Sequence, residues 1–126
     1  MSNLLLWAFL GSGIGGGSRF LISGLFENPN GTGFPRGTFL VNVLGSLAIG
    51  ALWALSEKTK VLSPSASVFL MSGICGGFTT FSAFSLENMK LLQAGEYAMA
   101  GIYTLGSVLG GLIALWAGVS LMKLIS

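Results

Sequence analysis

Four long stretches of the chain are almost continuously apolar, and short polar or turn-forming segments separate them. The stretches cover about residues 4–26, 37–55, 66–92 and 98–124. A helix that crosses a membrane needs about 20 mostly apolar residues. The pattern therefore predicts an all-α membrane protein with four transmembrane helices, forming a single domain over residues 1–126.

Composition supports a lipid environment. Charged residues make up 8% of the chain, compared with roughly 25% in soluble domains, and the mean hydropathy is +0.82. A soluble domain of this size could not bury so much apolar surface, whereas a bilayer can cover it. The net charge of +2 is small and scattered, so no nucleic-acid partner is expected.

Missing residue types exclude several kinds of active site. The chain has no His and no Asp, which excludes a Ser-His-Asp triad, a cluster of His metal ligands and a pair of aspartates. Glu87 has no second acid or base in its segment, so we do not expect an enzyme. Cys75 is the single cysteine; it cannot form an intrachain disulfide and is expected to pack as a small apolar residue.

Positive charges give almost no preference for one membrane orientation. Cytoplasmic loops normally carry the excess of Lys and Arg, but here Lys58, Lys60 and Lys123 would lie on one side and Arg36, Lys90 and Arg19 on or near the other. Two interpretations remain open: the count is small and noisy, or the chain inserts both ways and forms an antiparallel dimer. Arg19 lies near the end of the first helix and is expected to extend its side chain to the interface.

Glycines are concentrated in the first helix, where Gly11, Gly13 and Gly16 formally match a dinucleotide-binding fingerprint. That fingerprint requires a preceding strand and a βαβ unit, which the pattern does not predict. Small residues four apart, such as Gly11 and Gly15 or Gly106 and Gly110, instead allow membrane helices to approach closely. We therefore expect these glycines to form packing surfaces.

The predicted third helix contains residues that favour an interruption. Gly76 and Gly77 precede Thr79 and Thr80 at mid-membrane, and such residues continue a helix poorly. A broken helix is tolerated at that depth only where the freed backbone groups are buried or bind something. The two ends at a break offer carbonyls to a cation and N–H groups to an anion. We expect a broken third helix with its break at Gly76-Gly77.

Aromatic and hydroxyl side chains alternate after the predicted break. Phe78, Phe81 and Phe84 recur every three residues, and Thr80, Phe84 and Glu87 share one helix face. An aromatic stripe alone commonly packs against lipid or protein. Combined with hydroxyls and an acid, it indicates the wall of a narrow pathway, because the positive edge of a phenyl ring can face an anion.

Polar groups in the other helices are few. Asn42 is the single amide inside the second helix; it either joins helices by a hydrogen bond or belongs to a functional site. Tyr103, Thr104 and Ser107 place hydroxyls at the entry end of the fourth helix.

At these residues the sequence resembles the Fluc fluoride channel family, also called CrcB proteins. The similarity covers essentially the whole chain and includes the Gly-rich first helix ending near Arg19, residues 37–42, and the long and specific stretch at residues 76–85. The resemblance implies an antiparallel, dual-topology homodimer with two pores in the plasma (inner) membrane. It implies a fluoride-selective channel that passes fluoride passively out of the cell and so lowers its toxicity.

The resemblance also implies roles for individual residues. Phe81 and Phe84 would line the fluoride path, Asn42 and Ser85 would donate hydrogen bonds, and Glu87 would lie near the vestibule. The backbone carbonyls of Gly76 and Thr79 would hold a structural sodium ion. The remaining pathway residues would be Thr38, Thr80, Tyr103 and Ser107. Gly111 and Leu115 differ from some relatives, which have Ser or Thr there, so the resemblance does not extend the hydroxyl track of the fourth helix past Ser107.

Two other classes of protein compete with a channel. A small multidrug-type, proton-coupled exporter needs a titratable carboxylate deep in its first helix, but the first acid here, Glu27, follows that helix. A structural or accessory subunit would account for the glycines. It would not account for polar groups clustered at one depth.

Overall fold

The structure is a computed structural model that describes residues 2–125. Over these residues the chain forms helices and turns, with no β-strand. The first helix is α1 (Ser2–Phe26) and the second is α2 (Arg36–Thr59). The third span, residues 64–93, comprises α3 (Pro64–Ser67), a π-helical segment (Val68–Cys75), α4 (Gly76–Phe78) and α5 (Phe81–Gln93). The last helix is α6 (Tyr97–Ile125).

Four of these stretches are long and apolar enough to cross a membrane: residues 3–26, 36–58, 64–93 and 97–125. The prediction of an all-α chain with four such spans is confirmed, and the bounds differ by only a few residues. The protein is a multi-pass membrane protein.

The first and third spans pack side by side through glycines. A Cβ on Gly11 would overlap the carbonyl oxygen of Phe69, and a Cβ on Gly15 would overlap that of Ile74. Contacts follow the same order along both spans, so the two run parallel. This confirms that Gly11 and Gly15 are packing surfaces.

The second and fourth spans, α2 and α6, form the other close pair. A Cβ on Gly50 would overlap the carbonyl oxygen of Leu115, and a Cβ on Gly118 would overlap that of Leu47. These helices also run parallel. Next to them lies the buried cluster of Leu91, Ala100 and Tyr103, which fixes α5 against the start of α6.

The third span leaves helical geometry at Thr79 (φ −87°, ψ 158°) and Thr80 (φ −149°, ψ 125°). Gly76 is helical (φ −64°, ψ −38°), so the expected break at Gly76-Gly77 is wrong by about one turn. A Cβ on Gly77 would lie 2.6 Å from Ser12 O, so this glycine serves close packing against α1. The Thr80 hydroxyl accepts a hydrogen bond from Ala83 N (3.1 Å) and begins α5 as its N-cap.

Candidate functional site

A groove of about 330 Å³ lies beside the extended residues of the third span. α2, the third span and α6 all contribute to it, and none of the described residues that line it is charged. The lining residues are Asn42, Gly45, Ser46, Ile49, Cys75, Gly76, Thr79, Thr80, Phe81, Phe84, Ser107, Val108 and Gly111. The groove thus brings together most of the residues that the sequence predicts for a pathway.

Asn42 holds the extended backbone from α2. Its Oδ1 accepts a hydrogen bond from Thr80 N (2.8 Å), and its Nδ2 donates to Thr80 O (3.2 Å). Backbone groups that leave a helix inside a membrane need other partners, and one amide supplies both. Asn42 therefore joins two helices by hydrogen bonds, as one of the two interpretations expected, and it also lines the groove.

The hydrogen bond from Thr80 N to Asn42 changes which donors reach the carbonyl oxygens of Gly76 and Gly77. In a continuous helix Thr80 N would donate to Gly76 O, but here it donates to Asn42. The next carbonyl oxygen, that of Gly77, accepts a hydrogen bond from Arg19 Nε (3.2 Å). Arg19 therefore reaches across to α4, contrary to the expectation that it extends to the interface. Its position as a cation inside a membrane span was the available sequence signal.

The aromatic side chains lie in one connected row. The ring centroids of Phe81 and Phe84 are 5.7 Å apart, and those of Phe84 and Tyr103 are 5.0 Å apart. Phe84 is partly buried against the cluster that contains Tyr103. Phe81 is 78% exposed on the single chain, so most of its ring is not packed within the chain.

Glu87 lies one turn beyond Phe84 and receives two hydrogen bonds. Thr38 Oγ1 and Tyr103 OH each donate to its carboxylate at 2.8 Å. Thr38 and Tyr103 are buried, so this carboxylate ties α2, α5 and α6 together. Glu87 also lines a second cavity of about 590 Å³, with Glu27, Lys90 and Glu96.

Two predicted hydroxyls differ in their surroundings. Ser107 Oγ is buried in the groove and has no hydrogen-bond partner among the described residues. Ser85 is exposed and lines neither cavity. Thr104, a further hydroxyl of α6, donates to Asn88 Oδ1 (3.2 Å) and joins α6 to α5, and no sequence pattern indicated Asn88 as its partner.

Comparison with known proteins identifies the family. The family model described as CrcB-like protein, Camphor Resistance (CrcB) matches residues 6–119. The chain belongs to the CrcB family. The resemblance noted in the sequence is therefore confirmed.

Relatives in this family match over nearly their full length. A protein of Chlorobaculum tepidum named fluoride-specific ion channel FluC is 45% identical over 126 residues, covering 98% of this chain and 97% of the relative. A protein of the same name from Methylocella silvestris is 44% identical over 115 residues, covering 90% and 88%. Another from Chlorobium luteolum is 42% identical over 123 residues, covering 98% and 93%. These relatives are named as ion channels and not as enzymes.

Proposed function

We propose that this chain is a subunit of a fluoride-selective ion channel that passes fluoride passively out of the cell, lowering cytoplasmic fluoride and its toxicity. One observation carries the proposal: the groove offers an amide, hydroxyls and aromatic rings at membrane depth, with no charged side chain in its wall. Fluoride is small and strongly hydrated, so a pore must replace its water with hydrogen-bond donors. A fixed cation in the wall would hold the anion too tightly for rapid passage.

Donors remain available in the groove after the internal contacts are formed. An amide NH₂ has two hydrogens, and the contact with Thr80 O uses one of those on Asn42. Ser107 Oγ has no partner among residues 2–125. The positive edges of Phe81 and Phe84 add attraction for an anion without a full charge.

The mouth of this pathway is formed by Glu87 with Thr38 and Tyr103. Their three-way contact orders the end of the groove where Phe84 packs against Tyr103. An anion enters from the wider cavity, whose described charged lining residues are Lys90 and the carboxylates of Glu27, Glu87 and Glu96, so its charge does not attract the anion and selection falls to the uncharged groove beyond it. Thr80 lies at the interruption, where its hydroxyl caps the N-terminus of α5 by accepting a hydrogen bond from Ala83 N.

The working unit is an antiparallel, dual-topology homodimer with two pores. Ser85 and Gly76 are exposed on a single chain, although they lie within a membrane span. Lipid cannot satisfy polar and backbone groups at that depth, whereas a second copy can cover them. The interruption in the third span, where the two chains would cross, is the broken transmembrane helix of the channel.

A structural sodium ion fits the carbonyl groups at the interruption. Gly76 O loses the amide that a continuous helix would provide, because Thr80 N donates to Asn42. The carbonyl of Thr79 lies in the extended segment. Neutral oxygen ligands without a carboxylate suit a hard monovalent cation. Gly76 and Thr79 from both chains would hold it, and the ion would join the two copies.

The decisive experiment measures ion efflux from liposomes that contain the purified protein. We expect fast electrogenic fluoride efflux and negligible chloride efflux. Flux of a cationic drug coupled to protons, with no fluoride flux, would instead support the multidrug-type exporter. Absence of both fluxes from a folded dimer would favour an accessory subunit.

A further inference from the structure

We propose that Ser46 is an ion-binding hydroxyl of the groove and supplies from α2 the donor that α6 lacks at Gly111. This inference rests on the proposed fluoride channel function. It assigns the next binding position along the groove beyond Asn42 and Ser107.

Two rows of residues, one on each of two parallel helices, lead to this assignment. On α2 the row is Thr38, Asn42 and Ser46; on α6 it is Tyr103, Ser107 and Gly111. Residues four apart lie on the same side of a helix, so each row follows one face. The rows begin level with each other, because Thr38 and Tyr103 both donate to Glu87.

The rows also end level with each other. A Cβ built on Gly111 would lie 3.5 Å from Ser46 Oγ, which is ordinary van der Waals contact. Both residues line the groove. The last position of the α6 row has no side chain, and the hydroxyl of Ser46 faces that position from α2.

The Ser46 hydroxyl is available to a ligand. A serine inside a helix often donates to the carbonyl four residues earlier, but Ser46 Oγ makes no side-chain hydrogen bond within residues 2–125. Of the other groove residues near this level, Ile49, Val108 and Gly111 have no side-chain donor, and the Thr79 hydroxyl already donates to Cys75 O (3.2 Å). Without Ser46 a partly dehydrated anion that leaves Ser107 would meet no side-chain donor that is free of an internal hydrogen bond at this level.

The test compares fluoride flux per intact dimer in the reconstituted full chain. Ser46→Ala removes the hydroxyl and is expected to lower flux by about tenfold or more, since a hydrogen bond to a charged group is worth that factor. Ser120→Ala is the matched control. Ser120 lies on α6 outside the groove, and its substitution should leave flux unchanged. Thermal midpoint and dimer content confirm that each variant is folded.

A second substitution separates hydroxyl chemistry from packing. In the Ser46→Ala background, Gly111→Ser returns a hydroxyl to the same level of the groove and should restore flux, whereas Gly111→Ala should not. Unchanged flux in Ser46→Ala, or equal flux in the two double variants, would overturn the inference and leave the channel function intact. A wild-type protein without fluoride flux would overturn the proposed function and this inference together.

Discussion

At the scale of single residues, the amide of Asn42 both forms two hydrogen bonds with the Thr80 backbone and lines the groove. Asn42→Asp keeps an acceptor for Thr80 N but loses the donor to Thr80 O and adds a negative charge beside an anion path. We expect a loss of about 1–3 kcal/mol of stability and a fall in fluoride flux of about a hundredfold. Thermal unfolding and liposome flux measure the two effects separately. Asn30→Asp, in an exposed loop, is the control, and equal behaviour of the two variants would contradict this role.

Phe81 and Phe84 allow packing to be distinguished from contact with the ion. Replacement of either by Ile is a modest change in volume and should cost less than about 1.5 kcal/mol if only packing matters. If the ring edges contact fluoride, no aliphatic side chain can replace them, and flux should fall by orders of magnitude while the dimer persists. The measurement is flux per intact dimer.

A matched control for Phe81 exists on α1. Phe20 is 80% exposed and Phe81 is 78% exposed. Phe20→Ile therefore makes the same change to an equally exposed side chain at a position that does not line the groove. It should retain flux. Near-normal flux in both Phe81→Ile and Phe84→Ile would show that the aromatic row is not the conduction path.

Residue types in the groove could be predicted from the sequence, but their partners could not. The amide of Asn42 inside an apolar helix already indicated a polar contact or a site. Its partner, Thr80, is 38 positions away, and only the packing register of α2 against the third span selects it. Arg19 was misplaced for the same reason, because its acceptor is a carbonyl freed by an interruption elsewhere in the chain.

At the scale of helices, the tightest contacts between α2 and α6 occur at glycines. A Cβ on Gly118 would overlap Leu47 O, whereas a Cβ on Gly101 meets nothing within 4 Å. Gly118→Ala should therefore separate the two helices and destabilise the protein by about 1–3 kcal/mol, while Gly101→Ala should be neutral or slightly stabilising. Thermal unfolding of the two variants in one detergent checks this, and equal midpoints would contradict the proposed close contact.

The sequence indicated that glycines pack helices together but did not indicate which ones. Gly11 and Gly15 are confirmed, yet a Cβ on Gly106 or Gly110 would make only ordinary contacts of 3.6–3.8 Å with Phe39 and Val43. Spacing of four identifies a face, and the crossing point of two helices decides which residue on that face is closest. The position of the interruption was missed in the same way, because Gly77 is required by contact with α1 and not by a change of backbone conformation.

The proposed sodium site can be tested at the interruption with a substitution that one chain tolerates. A Cβ on Gly76 meets only Met71 O, at 3.7 Å, so Gly76→Ala can be accommodated within a monomer. It should nevertheless lower the dimer fraction and flux, because Gly76 is exposed on the face assigned to the second copy. Gly77→Val is a poor test, since it would clash with α1 in any assembly.

Replacement of sodium itself provides the second arm of that test. In wild-type protein, substituting a large organic cation for sodium should weaken the dimer, measured as the dimer fraction in detergent against protein concentration. An ion that binds only the dimer stabilises it by mass action. Equal dimer fraction and equal flux with either cation would remove the sodium site from the proposal.

At the scale of the whole molecule, one chain leaves many large apolar side chains exposed on every span. Lipid accounts for most of this surface and does not identify an interface. The exposed groups that lipid cannot satisfy are more informative: Ser12 is exposed on α1, but Ser72, Gly76, Ser82 and Ser85 are exposed on the third span. A second copy placed on this span would cover them and Phe81 together.

The charge distribution makes the orientation of the two copies testable. One end of the spans carries Lys58, Lys60 and Lys123, and the other carries Arg19, Arg36 and Lys90. Arg19 donates a hydrogen bond to Gly77 O inside the bundle. The difference in positive charge between the two ends is therefore too small to fix one orientation. A reporter fused after Ser126 should therefore be found on both sides of the membrane. Two added Lys residues between α2 and α3 should drive one orientation and remove fluoride flux, and co-expression with an oppositely biased chain should restore it. A wild-type reporter confined to one side would exclude the antiparallel dimer, because two chains inserted in the same direction cannot be related by an axis in the membrane plane.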